Sequence, residues 1–366
     1  MGDTHHSPPP LRRRISAVHP RAPALGPDRP RGARRLVPPR PHPRRPRRLP
    51  TGRNWGFESH TERGQHPHSP IQWRPFSYKD DSRWQRREHD PGSCRGLRVS
   101  SGIVGACGDD DQGRLFCHNM SLSGVDLSRL RAKKGPTGQC VCLVDANGNR
   151  TMRPCLSNVV KLQTNELKRE DFRGSKWLVV RYAYFNSEPI NAAIKIAKQE
   201  GVSISLDLAS FEMVRDYRSH LIELLETGNI DLCFANEDEA RELIRGEATT
   251  DPEVALEFLA KYCKWAVVTL GSKGCVAKHG KEVVRVPAIG ESHAVDATGA
   301  GDLFASGFLY GLVKGLSLEE CCKVGACSGG SVIRALGGEV MPENWQWMYK
   351  QMKAKGLSVP DLGIST

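Results

Sequence analysis

Between residues 177 and 269, short apolar runs alternate with amphipathic stretches, and this alternation limits the fold more than any other property of the chain. The runs at 177–180, 202–208, 230–234 and 265–269 consist mainly of aliphatic residues. That length and composition suit strands buried on both faces. Between them, residues 189–199 place Ile190, Ala193, Ile194, Ile196 and Ala197 at helical spacing, and 217–226, 237–244 and 252–262 also read as helices. Strands and helices in this order close into a mainly parallel sheet covered by helices on both faces.

The same texture continues on either side. Residues 102–108 read as a buried strand, and Asp109-Asp110-Asp111-Gln112-Gly113 as the turn that opens a helix. Residues 140–145 and 150–152 read as strands joined by Ala146-Asn147-Gly148-Asn149, a hairpin signal, and are assigned to a small β lid rather than the main sheet. A second hairpin is expected over 276–286 around His279-Gly280. Farther on, Gly315 stops one helix, and Ser317-Leu318-Glu319-Glu320 is a capping box for the next, which should end near Gly337-Gly338.

Residues 1–98 are different in kind. They hold 17 of the 24 prolines and 22 of the 53 basic residues, with Lys79 their only lysine. With 8 acids, this segment has a net charge of +14, so that residues 99–366 contribute −2 to the formal total of +12. The basic character therefore belongs to one segment, and the remainder is a near-neutral domain without a nucleic-acid footprint. Runs such as Arg44-Arg45-Pro46-Arg47-Arg48 lack apolar periodicity, so composition alone gives disorder.

Three origins fit this segment: a basic nucleic-acid arm, a transit peptide that would direct the chain to a plastid, or coding sequence read in a shifted frame. Few serines, and acids at Asp80, Asp81, Glu88 and Asp90, count against a transit peptide. A shifted frame explains an excess of Arg and Pro with almost no Lys. Reading residues 82–98 one base later permits Ala-Gly-Gly-Ser-Val-Ala followed by a helical pattern, and the single codon of Trp84 forces one of those glycines. Twelve cysteines without C-x-x-C spacing argue against zinc and read as reduced thiols of a cytoplasmic protein. No apolar run approaches the roughly 20 residues of a membrane helix.

The segment with the most chemistry is Asp296-Ala297-Thr298-Gly299-Ala300-Gly301-Asp302, which follows an extended stretch and opens an apolar helix. Small residues allow close backbone approach, and the N–H groups of Gly299, Ala300 and Gly301 at a helix start suit phosphate oxygens. Asp302 in that same turn can take a proton from an attacking hydroxyl. Asn236 and Glu239, three apart after a strand, share one side of a helical turn. An amide there can meet phosphate and a carboxylate can hold Mg2+ through water, although an ordinary N-cap reads the same way. Thr269-Leu270-Gly271-Ser272-Lys273-Gly274 offers hydroxyls and close approach to a nucleotide, or is a plain Gly-rich turn. No G-x-x-x-x-G-K-[ST] loop, and no G-x-G-x-x-G after a strand, is present.

Taken in order, these elements resemble the PfkB/ribokinase family of carbohydrate and nucleoside kinases over about residues 99–345, with 346–366 left as a C-terminal helix and tail. The resemblance implies a ribokinase-like α/β fold with a β lid, and a lid sheet of that kind can form a homodimer. It implies ATP and Mg2+ as cofactors, with room for a monovalent cation, and a sugar or nucleoside as acceptor. Asp302 would be the base, and Gly299, Ala300 and Gly301 would stabilise the transferring phosphoryl group. Asn236 and Glu239 would serve phosphate and Mg2+. Thr269, Gly271, Ser272, Gly274, Thr298 and the helix at 327–331 would border the nucleotide. Asp109 and Asp110 would lie on the acceptor side, or form a solvated acidic turn.

The family's N-terminal strand and Gly-Gly motif are missing from residues 1–98 as translated. The chain is therefore expected to lack the first sheet strand, part of the lid and half the acceptor pocket. The alternative to an active kinase is a catalytically impaired kinase fold with a binding role or none.

Overall fold

The structure, a computed structural model, describes the backbone of residues 14–18 and residues 96–360 except 146–147, 149, 156–158, 184–186, 247–250 and 291–292. Its main sheet contains β1 (Arg14–Val18), β2 (Ser100–Gly108), β3 (Leu130–Lys133), β6 (Ser175–Arg181), β7 (Ser203–Asp207), β8 (Leu232–Asn236), β9 (Trp265–Thr269), β10 (Cys275–His279) and β11 (Glu282–Val286). They lie in the order β11-β10-β9-β8-β7-β6-β1-β2-β3. Every pairing from β3 to β9 is parallel, and the β9–β10 and β10–β11 pairings are antiparallel. The expected second hairpin is thus the antiparallel edge of the sheet. The lid expectation also holds: β4 (Gln139–Val144) and β5 (Arg150–Cys155) pair only with each other, in a separate two-stranded sheet.

One expectation is overturned. The first strand is not missing, because Arg14–Val18 lies between β2 and β6, parallel to both. Ile15 and Val18 give this five-residue run β propensity that the surrounding Arg and Pro conceal. The shifted-frame segment with its Gly-Gly pair falls mostly outside the described residues.

Helices cover both faces because side chains alternate along each strand. On β8, Cys233 and Ala235 face one core while Leu232 and Phe234 face the other, and on β9 Ala266 and Val268 oppose Val267. The first core is closed by α2 (Ser187–Gln199), α3 (Phe211–Asp216), α4 (Arg218–Glu226), α5 (Glu237–Leu243) and α6 (Pro252–Ala260). Their fully buried residues include Ile194, Leu221, Leu225 and Leu243. Each such side chain contributes roughly 1.5–3 kcal/mol when removed from water. Ser210 caps the short α3, which lies just before the helix expected over 217–226.

The second core is covered by α7 (Ala300–Lys314) and α8 (Leu318–Val332). These two helices approach closely. A Cβ on Gly307 would lie 2.4 Å from Ser328 Oγ and 2.7 Å from the Val324 carbonyl, and one on Gly311 would lie 2.7 Å from Cys321 Sγ. Gly315 ends α7 in the left-handed region, and Ser317 with Glu320 forms the expected capping box. However, α8 stops at Val332, short of Gly337, and its C-cap Ile333 carbonyl accepts the Val295 N–H at 2.8 Å.

The last helix, α9 (Pro342–Ala354), straddles the expected boundary at 345. It is not a tail. Met348, Tyr349 and Met352 are buried with Tyr310, Val324 and Cys327, and Tyr349 Oη donates to the Gly96 carbonyl at 2.7 Å.

Candidate active site

Gly108, Arg181, Asp207, Asn236 and Thr269 are the last residues of β2, β6, β7, β8 and β9. The functional candidates therefore gather at the carboxyl ends of a parallel sheet, where open α/β sheets bind ligands. α7 begins next to them. Its N-cap, Gly299, has φ 80° and would place a Cβ 3.1 Å from Gly338 Cα, so both conformation and space demand glycine.

Buried Asp296 sets this turn. Its Oδ1 accepts the Thr298 N–H at 2.8 Å and its Oδ2 accepts the Gly337 N–H at 2.9 Å. The sequence reading left the Ala300 amide free for phosphate, but it donates to the Ala297 carbonyl at 3.3 Å. The Gly301 and Asp302 N–H groups stand at the helix start without an intrahelical acceptor. A Cβ on Gly301 would meet nothing within 4 Å, so this end is open to a ligand. The macrodipole of the fifteen-residue α7 adds partial positive charge there.

Asp302 sits in that first turn, half exposed, with Oδ1 3.6 Å from Arg181 Nη1. Arg181 is register partner of Asp207 on the neighbouring strand. Burial raises the Asp207 pKa, with the Asp302 charge adding to the rise and Arg181 opposing it. Glu239 is pushed up to about 7, chiefly by burial, with the Asp207 charge adding to the rise.

The α5 N-terminus decides between two readings of Asn236 and Glu239. Asn236 Oδ1 accepts the Asp238 and Glu239 N–H groups at 3.0 and 2.9 Å. The Asn236 N–H and Nδ2 each donate to a Glu239 carboxylate oxygen at 2.8 Å. The pair is thus a complete capping box, and Glu239 is buried beside Asp207. Among the described residues no group of three His, Cys, Asp or Glu side chains is arranged around a metal position. Two adjacent acids whose ionised forms are disfavoured nevertheless make a place that a divalent cation would stabilise. Mg2+ is suited to such a site because it retains waters and needs only one or two carboxylates plus phosphate oxygens.

At the end of β9, Thr269 Oγ1 donates to the Ala235 carbonyl at 3.4 Å. The following turn closes through Leu270 N–H to the Gly274 carbonyl at 2.7 Å. Gly271 and Ser272 are exposed on it, and a Cβ on Gly274 would collide with the Val286 carbonyl. Of the helix expected to border the nucleotide, Cys327, Ser328 and Ser331 are fully buried. Their environment is the helix pack, since Ser328 Oγ donates to the Val324 carbonyl at 2.9 Å and Ser331 Oγ to the Ser328 carbonyl at 2.6 Å.

Just past the end of β2, Asp109 Oδ1 accepts the Gly135 N–H at 3.0 Å. Asp110 caps α1 (Asp111–Leu122) through the Gly113 N–H, and also accepts the Thr137 hydroxyl at 2.5 Å and the Thr137 N–H at 2.8 Å. The Thr137 hydroxyl, with the two N–H donors, holds the Asp110 carboxyl down at about 2. These acids clasp residues 135–137 to the end of β2. The lid reaches the motif as well: the Gly148 carbonyl accepts the Ala297 N–H at 3.1 Å, and Cys142 Sγ lies 3.6 Å from Thr298 Oγ1.

Residues 96–344 match the family described as pfkB family carbohydrate kinase. The chain belongs to this family. It is 27% identical over 233 residues to an "Uncharacterized sugar kinase" of Archaeoglobus fulgidus, covering 63% of this chain and 89% of that protein. Adenosine kinase 2 of Arabidopsis thaliana is 28% identical over 269 residues, covering 67% and 74%. The solved adenosine kinase of Sinorhizobium meliloti superposes with a TM-score of 0.65 at 33% identity, covering 71% and 80%. The sheet order and lid described above are therefore a ribokinase-like α/β fold.

Within this pfkB domain, three site residues escaped the sequence reading. Arg181 falls just past the run expected at 177–180 and Asp207 inside the run at 202–208, although a charged residue closing a buried parallel strand points at the ligand edge. Asp296 was read only as the first letter of a motif. Its Oδ2 joins that motif to the Gly337 N–H, about forty residues later, a pairing without local sequence signal.

Proposed function

We propose that this pfkB family member is an ATP- and Mg2+-dependent kinase that transfers the γ-phosphoryl group to a hydroxyl of a sugar or nucleoside. One observation carries the reading: Asp302 stands in the same helical turn as the two amides without intrahelical acceptors, at the carboxyl edge of the sheet. A base and an anion cradle one residue apart suit a reaction in which positioning and electrostatic stabilisation do most of the work. Bound MgATP would supply the phosphoryl group and the metal's compensating charge.

The chain's own residues divide the remaining tasks. Asp302 takes the proton of the acceptor hydroxyl as that oxygen attacks. The Gly301 and Asp302 N–H groups receive phosphoryl oxygens, and Gly299 permits the turn that presents them. Asp207 and Glu239 hold Mg2+ through water, while Gly271 and Ser272 border the nucleotide. The family relatives described as sugar and adenosine kinases support a hydroxyl acceptor on a sugar or nucleoside. β1 supplies the first strand of the sheet, while the Gly-Gly motif on which the impaired-fold alternative also rests falls outside the described residues.

The test is Asp302→Asn, assayed with MgATP against a panel of sugars and nucleosides. Transfer is expected to fall by about 10²–10⁴-fold with melting temperature and MgADP affinity retained. Undiminished transfer by that variant refutes the assignment.

A further inference from the structure

We propose that Arg181 is a second catalytic group, an arginine that contacts the transferring phosphoryl oxygens in the transition state. The inference rests on the phosphotransferase reading above. Arg181 closes β6 after the apolar run Trp177, Leu178, Val179 and Val180. Its Nη1 lies 3.6 Å from Asp302 Oδ1, an ion-pair separation too long for a hydrogen bond. Its Nε is shielded from solvent and has no hydrogen-bond partner. A guanidinium carries five N–H donors in a fixed fork matched to phosphate oxygens. Here that fork stands beside the base with a buried donor unsatisfied.

The groups facing it explain why an anion belongs there. Asp302 approaches from α7, Asp207 from β7 and Glu239 from α5, and Arg181 is the cation whose charge acts on both Asp207 and Glu239. Asp302 must lie beside the acceptor hydroxyl, and the phosphoryl group must lie between that hydroxyl and the α7 amides. A cation 3.6 Å from Asp302 is therefore within reach of the same phosphoryl oxygens. As the acceptor oxygen bonds to phosphorus, its proton passes to Asp302. The bridging P–O bond breaks, and its electron pair leaves with ADP. Arg181 donates to the phosphoryl oxygens that carry negative charge through both events, and leaves Asp302 free to take the proton.

Arg181→Met and Arg181→Lys in the full chain test this. The probes are MgADP alone and MgADP with aluminium fluoride, which imitates the planar phosphoryl group, each followed by calorimetry and thermal shift. Turnover of MgATP gives kcat and KM. In the wild type, fluoride should tighten MgADP binding. In Arg181→Met that gain and kcat should both fall about 10²-fold, with the affinity for MgADP alone kept within about threefold, and Arg181→Lys should recover only part of the loss. Retention of the fluoride gain by Arg181→Met overturns the proposal, as does an equal loss of MgADP affinity, which would mark Arg181 as a structural neutraliser. Absence of MgADP binding by the wild type, or full turnover by Asp302→Asn, overturns the kinase reading itself.

Discussion

Replacing Glu239 with glutamine should change how stability depends on pH more than it changes stability itself. Glu239 has its ordinary value of 4.5 in the unfolded chain and about 7 when folded, mainly because burial disfavours the carboxylate. Between those limits the folded chain binds a proton that the unfolded chain has released. Stability from this group is thus fully present below about pH 4.5 and is lost as pH rises toward 7. Each pH unit is worth about 1.4 kcal/mol, so the wild type should lose about 3 kcal/mol from this one group. Glu239→Gln cannot ionise and loses none of it. Its cost is one Asn236 donor left without an acceptor, about 1 kcal/mol, and that cost is common to the protonated wild type. The assay is urea unfolding of both proteins from pH 5 to 8 without Mg2+ or nucleotide. Titrations not coupled to Glu239 cancel in the difference, which should move by about 2.5 kcal/mol in favour of the glutamine variant between pH 5 and 8. A flat difference, or one of opposite slope, refutes the burial argument.

Three further outcomes are expected. Gly307→Ala gains up to about 1 kcal/mol of helix propensity but drives a Cβ to 2.4 Å from Ser328 Oγ and 2.7 Å from the Val324 carbonyl. Overpacking of about 1–3 kcal/mol should prevail, and a melting temperature at or above wild type would contradict it. Gly299→Ala carries about 1–2 kcal/mol of left-handed strain besides the contact with Gly338, and should weaken MgADP binding measured by calorimetry. Asp296→Ala strands the Thr298 and Gly337 N–H groups and should destabilise by about 2–4 kcal/mol in denaturant unfolding, with Asp296→Asn losing less.

What could be read in advance divides along physical lines. Strands β6 to β9 were legible because each carries a short, mainly apolar run between turns, and so was the α8 capping box, whose partners lie three residues apart. The α7 turn was legible because its glycines have no other use there. β1 was hidden, since five residues of ordinary β propensity carry little weight among Arg and Pro. Arg181 and Asp207 were hidden for another reason: their meaning depends on β6 and β7 being neighbours in register, which no local pattern states. Asp110 shows the converse limit. An acidic turn was visible, but its engagement by Thr137, 27 residues on, appears only in three dimensions.

The bare glycine contact between α7 and α8 bears on how this protein can move. With Gly307 and Gly311 pressed against the backbone and thiol of α8, α7 cannot slide or roll without collision. The helix that carries Asp302 is therefore a fixed platform, and its central amides should exchange hydrogen only on global unfolding. The β4–β5 sheet lies outside the main sheet, is largely exposed, and meets the motif through the Gly148 carbonyl and Cys142. Its amides should exchange far sooner than those of α7, so that the cover breathes over a base that does not.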